Sequence, residues 1–497
     1  MKVFSKNNWL LFSILLVYLF VALYKLYSLP GEIWGDAISH YQLAQKVLHG
    51  HLFYDYEFGG DGPIFTYLAV FVALFTPLSF FSLKLTAVGI GFFFVLSMYF
   101  LAKEFFKEKE IALLSAAISA ISFWTIVFAR QPHARILVPL FICLTLIYTL
   151  KKKHSIAGIL LGLGMYTQAS FWGMIFTYWR NFRTLLIGIV LTIPLVYAFM
   201  YTPVSFISGH SYFGEKLAVH TPLSEIFYAI SYNIQANLLS FNFRGDKIFR
   251  MNIPSHPHLD FISGILFVIG FLLILYHSIK KKQKPFLLYF ILPFFFIQIP
   301  SFLDIHNYFS QPNISRMIGV IPFVYMSIAY AIFKLNEFLT SKVHTNSAKK
   351  LISFFVYYGF LVLIFMLNFY NYFYIYPKTL PNGNTPYGKL IAERIDASNP
   401  ATKIIIVGSG WGQYVQPEVA GIPMVQKTVH PELFEQTVVQ TQQALCQTPE
   451  RGMPILIASD PAYQNALKAA NLCLKKTQSY LLTSNGWDVA YIIEGVQ

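Results

Sequence analysis

The sequence predicts an all-α polytopic membrane protein that carries a small α/β domain at its carboxyl end. Of its 497 residues, 56% are hydrophobic, 18% are aromatic and only 12% are charged. No soluble domain of this length is so apolar. Short loops rich in lysine and arginine separate the apolar segments, as is typical of the cytoplasmic side of a membrane. The net charge of +14 therefore reflects topology and does not indicate a nucleic acid partner.

The basic clusters set the predicted topology. They follow or interrupt apolar segments near Lys103, Lys151, Arg180, Lys280 and Lys334. If all of them are cytoplasmic, the helices between them cross in pairs, which gives about 11 spans. The first segment has no small-residue cleavage site, so we interpret it as an uncleaved span. The predicted spans are residues 9–29, 84–102, 111–128, 136–150, two half-helices in 155–179, 184–201, 261–277, 286–302, 317–333 and 351–373.

Two apolar segments need special geometry in this scheme. If residues 64–81 crossed the membrane, the next two lysine clusters would lie outside. The stretch from Ile64 to Thr76 reaches only about 20 Å as a helix, less than the ~30 Å of hydrocarbon, and Pro77 ends it. We therefore predict an interfacial or re-entrant helix on the outer side. Residues 155–179 must enter and leave on one side, which predicts two half-helices that turn near Thr167 and Gln168.

The chain changes character near residue 377. We predict a helical membrane domain over residues 1–375, a linker over 376–386 and an outward-facing α/β domain over 387–497. Cys446 and Cys473 lie in this last domain, where they can pair in an oxidising compartment or remain two free thiols. The predicted helices are residues 387–397, 431–447 and 461–471, and the predicted strands are residues 403–407, 455–458, 479–483 and 489–494.

The first outward loop, residues 32–83, holds the candidate catalytic acids Glu32, Asp36 and Asp61. Apolar residues recur at helical spacing after Asp36, so this aspartate begins an amphipathic helix that lies on the membrane surface. Asp36 also suits a helix N-cap, and the two roles are compatible. Asp61 stands in a Gly-Gly-Asp-Gly-Pro sequence, which places it on a tight turn. A carboxylate just outside the hydrocarbon is well placed to act on a lipid-linked substrate.

The outward loops also contain cations that need a partner, because outward arginines oppose the positive-inside tendency. A guanidinium grips a phosphate with paired hydrogen bonds, although lipid head groups are an alternative partner for Arg130 and Arg135. The pair His256 and His258 offers only two metal ligands, so we predict loop packing and no metal site. The candidate substrate-binding residues are His40, Arg130, His133, Arg135, Arg244, Lys247, Arg250 and Arg316.

In their order and sidedness these motifs resemble the GT-C fold glycosyltransferases that use polyprenyl-phosphate sugars, in particular the protein-mannosyltransferase-like group, glycosyltransferase family 39. The resemblance covers about the first 375 residues. Family members carry an Asp-Glu pair after the first span, but here Ala37 follows Asp36, so Glu32 or Asp61 would supply the second carboxylate. The matching motifs are Asp36 with its helix through Gly50, Gly60-Asp61-Gly62-Pro63-Ile64, Ala129-Arg130 through Pro139, Gly158 through Gly162, Arg250-Met-Asn252-Ile-Pro254 and Arg316-Met-Ile-Gly319.

The resemblance implies a membrane glycosyltransferase in the bacterial plasma membrane. It would move a sugar from a polyprenyl-phosphate donor to an extracytoplasmic glycan, lipid or protein, with inversion. Asp36 would be the general base, and outward cations would stabilise the phosphate leaving group. The implied chemistry requires no cofactor; a divalent cation is compatible with it, but no residue pattern indicates one. The implied partners are the lipid-linked donor, membrane lipids and an acceptor that the sequence does not identify.

A polytopic transporter or flippase for a lipid-linked or anionic substrate is the alternative function. Proteins of that class place ionisable groups within their spans and often contain inverted repeats. The predicted spans of this chain are nearly free of charge, and no repeat is visible. We therefore favour the enzyme.

Overall fold

The computed structural model of the chain contains a helical part followed by a small sheet. The first nine helices are α1 Lys6–Leu23, α2 Asp36–Leu48, α3 Ile64–Ala73, α4 Phe80–Phe106, α5 Lys109–Ile121, α6 Phe123–Ala129, α7 Leu137–Leu150, α8 His154–Gly164 and α9 Phe182–Tyr201. They are followed by α10 Leu223–Leu239, α11 Phe261–Lys280, α12 Lys284–Phe302, α13 Ile321–Ser341 and α14 Asn346–Thr379. The structure describes residues 6–31, 36–56, 61–201, 222–305, 311–380, 383–399, 401–407, 413–414, 423–424, 439, 441–443, 445–446, 452–459, 461–484 and 486–497.

The membrane architecture predicted from the sequence is confirmed. Six of the described helices, α4, α9 and α11 to α14, are long and apolar enough to cross a membrane. Helices α5 and α6 form a seventh candidate span that bends by 57° at its break. The Asn368 side chain stabilises this break, because its oxygen accepts a hydrogen bond from the Phe123 backbone N–H at 2.8 Å. Helices α1, α7 and α8 are apolar but shorter, so the predicted count of about 11 spans stays a prediction.

Both segments with special geometry have the predicted local structure. Helix α3 has ten residues and rises about 15 Å, half of what a membrane crossing requires. In the other segment, α8 ends at Gly164 and a 3-10 helix, Ala169–Tyr178, follows it. The turn between them contains Thr167 and Gln168, where the sequence predicted it. Helix α3 and the turn after α8 both lie at the candidate site.

The helical core is closely packed around α1, α4 and α5. The Tyr18 hydroxyl of α1 donates a hydrogen bond to the Val88 carbonyl of α4 at 2.8 Å. Gly91 makes this approach possible, because a Cβ atom at that position would lie 2.1 Å from the Tyr18 hydroxyl. Such contacts let α1 and α4 approach closely.

The carboxyl-terminal part contains a four-stranded sheet in which the strands lie in the order 403–407, 454–459, 487–496 and 475–484, and only the first two are parallel. Neighbouring residues Leu456 and Ile457 face opposite sides of it. Leu456 packs in the cluster that contains Ile391, whereas Ile457 packs in the cluster that contains Leu467. The strands are β1 Lys403–Val407, β2 Gln413–Tyr414, β3 Pro423–Met424, β4 Pro454–Ser459, β5 Lys475–Ser484 and β6 Trp487–Val496, and the helices are α15 Tyr387–Asp396 and α16 Gln464–Ala469.

The described part of this region agrees with the predicted α/β elements. The predicted helix over residues 431–447 lies mostly outside the described residues. Cys446 and Cys473, whose state the sequence left open, form a disulfide bond. Before this region, the Asn384 side chain binds the chain that follows α1, through the Ser28 carbonyl at 2.8 Å and the Gly31 backbone N–H at 2.6 Å. The segment after α14 is therefore attached to the start of the first outward loop.

Candidate active site

The turn that carries Asp61 is docked on the turn between the two half-helices. The Gly62 backbone N–H donates a hydrogen bond to the Thr167 carbonyl at 2.8 Å, and Asp61 forms an antiparallel bridge with Gln168. Only glycine fits at position 62, because a Cβ atom there would lie 2.1 Å from the Tyr166 carbonyl oxygen. The sequence Gly-Asp-Gly-Pro thus acts through close backbone approach, and it fixes the Asp61 carboxylate in the interior.

Three further side chains surround this carboxylate, and we call His40, Asp61, His133 and Arg135 the Asp61 cluster. The His40 Nε2 atom lies 3.5 Å from Asp61 Oδ2, and the His133 Nδ1 atom lies 3.6 Å from the same oxygen. The Arg135 Nε atom lies 3.9 Å from Asp61 Oδ1. Both histidines and Asp61 are at most 3% exposed. Residues from α2, the turn before α3 and the segment between α6 and α7 therefore converge on one buried charge.

Helix α2 and helix α3 together hold the His40 ring in position. Its Nδ1 atom lies 3.0 Å from the Thr66 hydroxyl, and the ring packs against Phe65 with a centroid distance of 4.7 Å. These contacts direct Nε2 toward Asp61. Asp36 begins α2 four residues before His40, and helix periodicity puts the two positions on the same face.

Asp61 is a fixed negative charge in this arrangement. Burial raises the pKa of its carboxyl group, but the charge of Arg135 and the contacts with His133 and His40 outweigh burial and lower the pKa below its ordinary value. A buried charge is stable only when it is paired. The cluster therefore attracts cations through Asp61 and anions through Arg135, at the outer ends of the helices in the predicted topology.

A second acidic residue, Asp246, lies within the electrostatic reach of Arg135. Its carboxylate accepts backbone N–H hydrogen bonds from Ile248 at 2.7 Å and Ile314 at 2.9 Å. Burial raises its pKa to about 6, although these hydrogen bonds and the charges of Arg135 and Arg250 act in the opposite direction. Asp246 thus joins the loop after α10 to the segment before α13.

His258 has the packing role that its loop position predicted. Its Nε2 atom accepts a hydrogen bond from the Asp246 backbone N–H at 3.1 Å. Burial lowers its pKa to about 3, so the neutral ring is the form that accepts this bond. Gly245 permits the tight loop, because a Cβ atom there would lie 2.0 Å from the His256 carbonyl oxygen.

Arg316 forms a third charged group, with Asp304. It pairs with the buried carboxylate of Asp304, which also accepts a hydrogen bond from Gln311 Nε2 at 2.9 Å. The Ser301 hydroxyl donates to the Gln311 side-chain oxygen at 2.9 Å, and Asn237 Nδ2 donates to Ser301 at the same distance. This chain of polar contacts fixes Arg316 against α10 and α12. Neither Asp246 nor Asp304 was predicted from the sequence as a partner of an arginine.

Arg130 differs from the other predicted cations, because it is fully buried and binds the protein itself. Its Nε atom donates to the Tyr372 hydroxyl at 3.0 Å, and its guanidinium lies 5.1 Å from that ring centroid. We therefore remove Arg130 from the predicted substrate-binding residues and assign it to holding the end of α1. Its terminal nitrogens donate to the backbone carbonyls of Val21 at 2.9 Å, Ala22 at 2.8 Å, Tyr24 at 2.7 Å and Leu29 at 2.9 Å.

The remaining predicted site residues lie on the loop after α10 or fall outside the described residues. Arg244 and Lys247 are exposed on the loop after α10, and Arg250 is half-buried there. The Arg250 carbonyl accepts a hydrogen bond from the Tyr376 hydroxyl at 2.7 Å, which attaches this loop to α14. Glu32 and the side chain of Asp36 lie outside the described residues. Their roles as candidate acids stay predictions.

Comparisons with known proteins identify the fold. No protein-family model and no curated protein sequence matches the chain. The crystal structure of ArnT from Cupriavidus metallidurans in the apo state is similar, with a TM-score of 0.54 and 12% identity over 97% of both chains. ArnT bound to undecaprenyl phosphate gives 0.53 and 13% identity over 99% of both chains. The archaeal oligosaccharyltransferase AglB from Archaeoglobus fulgidus gives 0.46 and 14% identity over 81% of this chain and 62% of AglB.

The similarity to ArnT extends over 97% of the chain in one structure and 99% in the other. The GT-C fold that the motifs predicted is therefore confirmed. The assignment to glycosyltransferase family 39 stays a prediction.

Proposed function

We propose that this chain is a membrane glycosyltransferase that moves a sugar from a polyprenyl-phosphate donor to an acceptor outside the cytoplasm. The observation that carries the proposal is the full-length similarity of fold to an ArnT structure bound to undecaprenyl phosphate. A polyprenyl phosphate is what remains when a donor of this class has lost its sugar. The Asp61 cluster supplies the second support, because it gathers fixed charges where such a phosphate would arrive.

The proposed reaction is a single displacement. An acceptor hydroxyl attacks the anomeric carbon, the bond from that carbon to the phosphate oxygen breaks, and the configuration inverts. The hydroxyl proton passes to a carboxylate, for which we propose Asp36 at the start of α2. The phosphate leaves as an anion, so the transition state gains negative charge at the phosphate and needs preorganised cations around it.

Arg135 and Arg316 are the cations that we propose for the phosphate. Both side chains are 16% exposed, in contrast with the fully buried Arg130. Each is held by a buried carboxylate, Asp61 and Asp304 respectively. Such pairing fixes a long side chain in place before the substrate arrives, which is what electrostatic stabilisation of a leaving group requires. His40, His133, Arg250, Arg244 and Lys247 complete the proposed substrate-binding residues.

We further propose that the protein lies in a bacterial plasma membrane with residues 387–497 on the extracytoplasmic side. The Cys446–Cys473 disulfide supports this orientation, since disulfides persist in oxidising compartments. The contacts of Asn384 with Ser28 and Gly31 support a linker, residues 376–386, that lies on the same side as the start of the first loop. The acids of that loop and the terminal domain therefore face one compartment.

The orientation predicts a labelling pattern for single cysteines introduced into a Cys143→Ala chain that keeps its disulfide. A membrane-impermeant maleimide should label Pro77→Cys and Gln478→Cys on intact cells, because both positions are exposed and extracytoplasmic in this topology. Lys281→Cys, in a predicted cytoplasmic loop, should react only after permeabilisation. Protection of position 478 until permeabilisation would place the terminal domain inside and contradict the proposal.

The function is tested with purified protein in lipid nanodiscs and radiolabelled polyprenyl-phosphate sugars. With the correct donor and an acceptor present, we expect label to move to the acceptor and polyprenyl phosphate to be released in equal amount. The anomeric configuration of the product, determined by NMR, should be opposite to that of the donor. In liposomes, movement of the labelled donor across the bilayer without sugar transfer would instead support the flippase alternative.

A further inference from the structure

The Asp61 cluster contains three side chains of the kinds that bind metal ions. One ligand atom from each of His40, Asp61 and His133 lies within 4.8 Å of the other two, and all three side chains are buried. The sequence did not suggest this group, because its members come from three separate segments. The pair His256 and His258, for which the sequence predicted loop packing, is not part of this group.

The distances in the group suit a coordinated ion. A tetrahedral zinc site has bonds of about 2.0–2.2 Å, which puts its ligand atoms about 3.3–3.6 Å apart. The two imidazole nitrogens lie 3.5 and 3.6 Å from Asp61 Oδ2. These separations exceed the roughly 2.7–3.2 Å of a direct hydrogen bond. Both distances between a histidine and Asp61 are therefore those of a metal site, and the third ligand separation is at most 4.8 Å.

The surroundings of the ligands are those of a preorganised site. Metal-bound histidines have their second ring nitrogen held by a polar group, and here the Thr66 hydroxyl lies 3.0 Å from His40 Nδ1. Asp61 is fixed because the neighbouring Gly62 is hydrogen-bonded to the turn after α8. Ligands on rigid elements with supporting contacts hold the geometry that an ion needs.

We propose that His40, Asp61 and His133 bind one divalent transition-metal ion, with Zn²⁺ as the ion best suited to two imidazoles and one carboxylate. Three protein ligands leave a fourth position open, which is typical of catalytic rather than structural zinc sites. Arg135 adds a second positive charge 3.9 Å from Asp61 Oδ1, so the loaded site favours an anionic fourth ligand. A phosphate oxygen of the lipid donor fits this requirement. This last assignment rests on the proposed function, whereas metal binding does not.

Metal binding is tested on the full-length protein after chelation and dialysis, with an affinity tag that contains no histidine. Titration calorimetry and elemental analysis should find one Zn²⁺ per chain. His40→Ala, His133→Ala and Asp61→Asn should each weaken binding by more than about 100-fold, since even residues that only support metal ligands contribute 10–100-fold. His277→Gln is the matched control, because His277 is a partly buried histidine that binds Tyr330, remote from the cluster. It should bind Zn²⁺ like the unmodified chain.

Arg135→Gln should change the affinity for Zn²⁺ in the opposite direction to the substitutions of the three ligands. Removal of a positive charge beside Asp61 should tighten Zn²⁺ binding by about tenfold or more. If the cluster is only an ion pair, Arg135→Gln will not create or strengthen binding. Co²⁺ provides a spectroscopic measure for any variant of low stability, since a four-coordinate site gives visible absorption bands. Addition of undecaprenyl phosphate should shift these bands, and the absence of a shift would overturn the assignment of the fourth ligand.

The outcomes separate this inference from the proposed function. A chain that transfers sugar but takes up no Zn²⁺ above the level of the His40→Ala/His133→Ala double variant would overturn the metal site alone. Binding that survives this double variant would place the ion elsewhere and also overturn it. A chain that binds one Zn²⁺ at the cluster but transfers no sugar would retain the site and contradict the enzyme assignment.

Discussion

Asp36→Asn is expected to lower the turnover rate by a factor of about 10²–10⁴, the usual contribution of general-base catalysis. Asparagine has the shape of aspartate and caps a helix about as well, so α2 should form normally. The variant therefore separates the predicted capping role of Asp36 from the proposed catalytic one. Steady-state kinetics with a radiolabelled donor measure the effect, and thermal unfolding together with donor binding checks that the fold and the affinity are retained.

The matched control for this variant is Glu110→Gln, which removes an exposed acid from the first turn of α5, at the predicted cytoplasmic end. It should leave turnover unchanged. Near-normal turnover in Asp36→Asn would contradict the assignment and transfer the role to Glu32 or Asp61, which Glu32→Gln and Asp61→Asn then test. If all three acids are dispensable, the glycosyltransferase proposal fails and the transporter becomes the better explanation.

Local patterns in the sequence predicted the parts of the structure that depend on local chemistry. The turn at Thr167 and Gln168 followed from segment length and charge alone. In the carboxyl-terminal region, β1 has the predicted bounds, residues 403–407. A run of β-branched residues is enough to predict a strand there. These features needed no knowledge of what each segment packs against.

The convergence of side chains at the site could not be predicted in the same way. His40 and His133 belong to different loops, and no spacing rule joins either of them to Asp61. Their meeting depends on how α2, the turn before α3 and the segment between α6 and α7 dock, which is a tertiary property. The same holds for Asp304, whose pairing with Arg316 requires α12 and the segment before α13 to be adjacent. The sequence shows which residues are charged but not which residues they pair with.

Arg130 shows this limit most clearly. From its position in an outward loop the sequence predicted a phosphate ligand, as it did for Arg135 five residues later. Most of the acceptors that the structure reveals are backbone carbonyls near the end of α1. Every residue has such a carbonyl, so the sequence does not indicate which of them will bind an arginine. Local pattern therefore could not distinguish these two arginines, whereas their burial does.

Arg130→Ala is accordingly expected to destabilise the protein by about 3–5 kcal/mol, because it leaves several buried oxygen acceptors without a donor and each costs about 1–3 kcal/mol. The carbonyls that end α1 would lose their charged donor, and each buried acceptor left without one adds to the cost. Arg130→Lys should recover only part of the stability, since a single ammonium cannot reproduce the planar fork of donors. The midpoints of thermal and denaturant-induced unfolding of the purified protein measure both effects.

Arg135→Ala is the matched control, because it removes an arginine of the same segment that is partly exposed rather than buried. It should lower the unfolding midpoint much less than Arg130→Ala, yet weaken donor binding more, since a surface-accessible charge contributes little to folding while the donor phosphate is charged before and during the reaction. A stable Arg130→Ala chain with weakened donor binding would contradict the structural role and restore Arg130 to the substrate site. Equal destabilisation by the two variants would mean that burial does not distinguish them, and that the Asp61 cluster contributes to folding as strongly as the contacts that close α1.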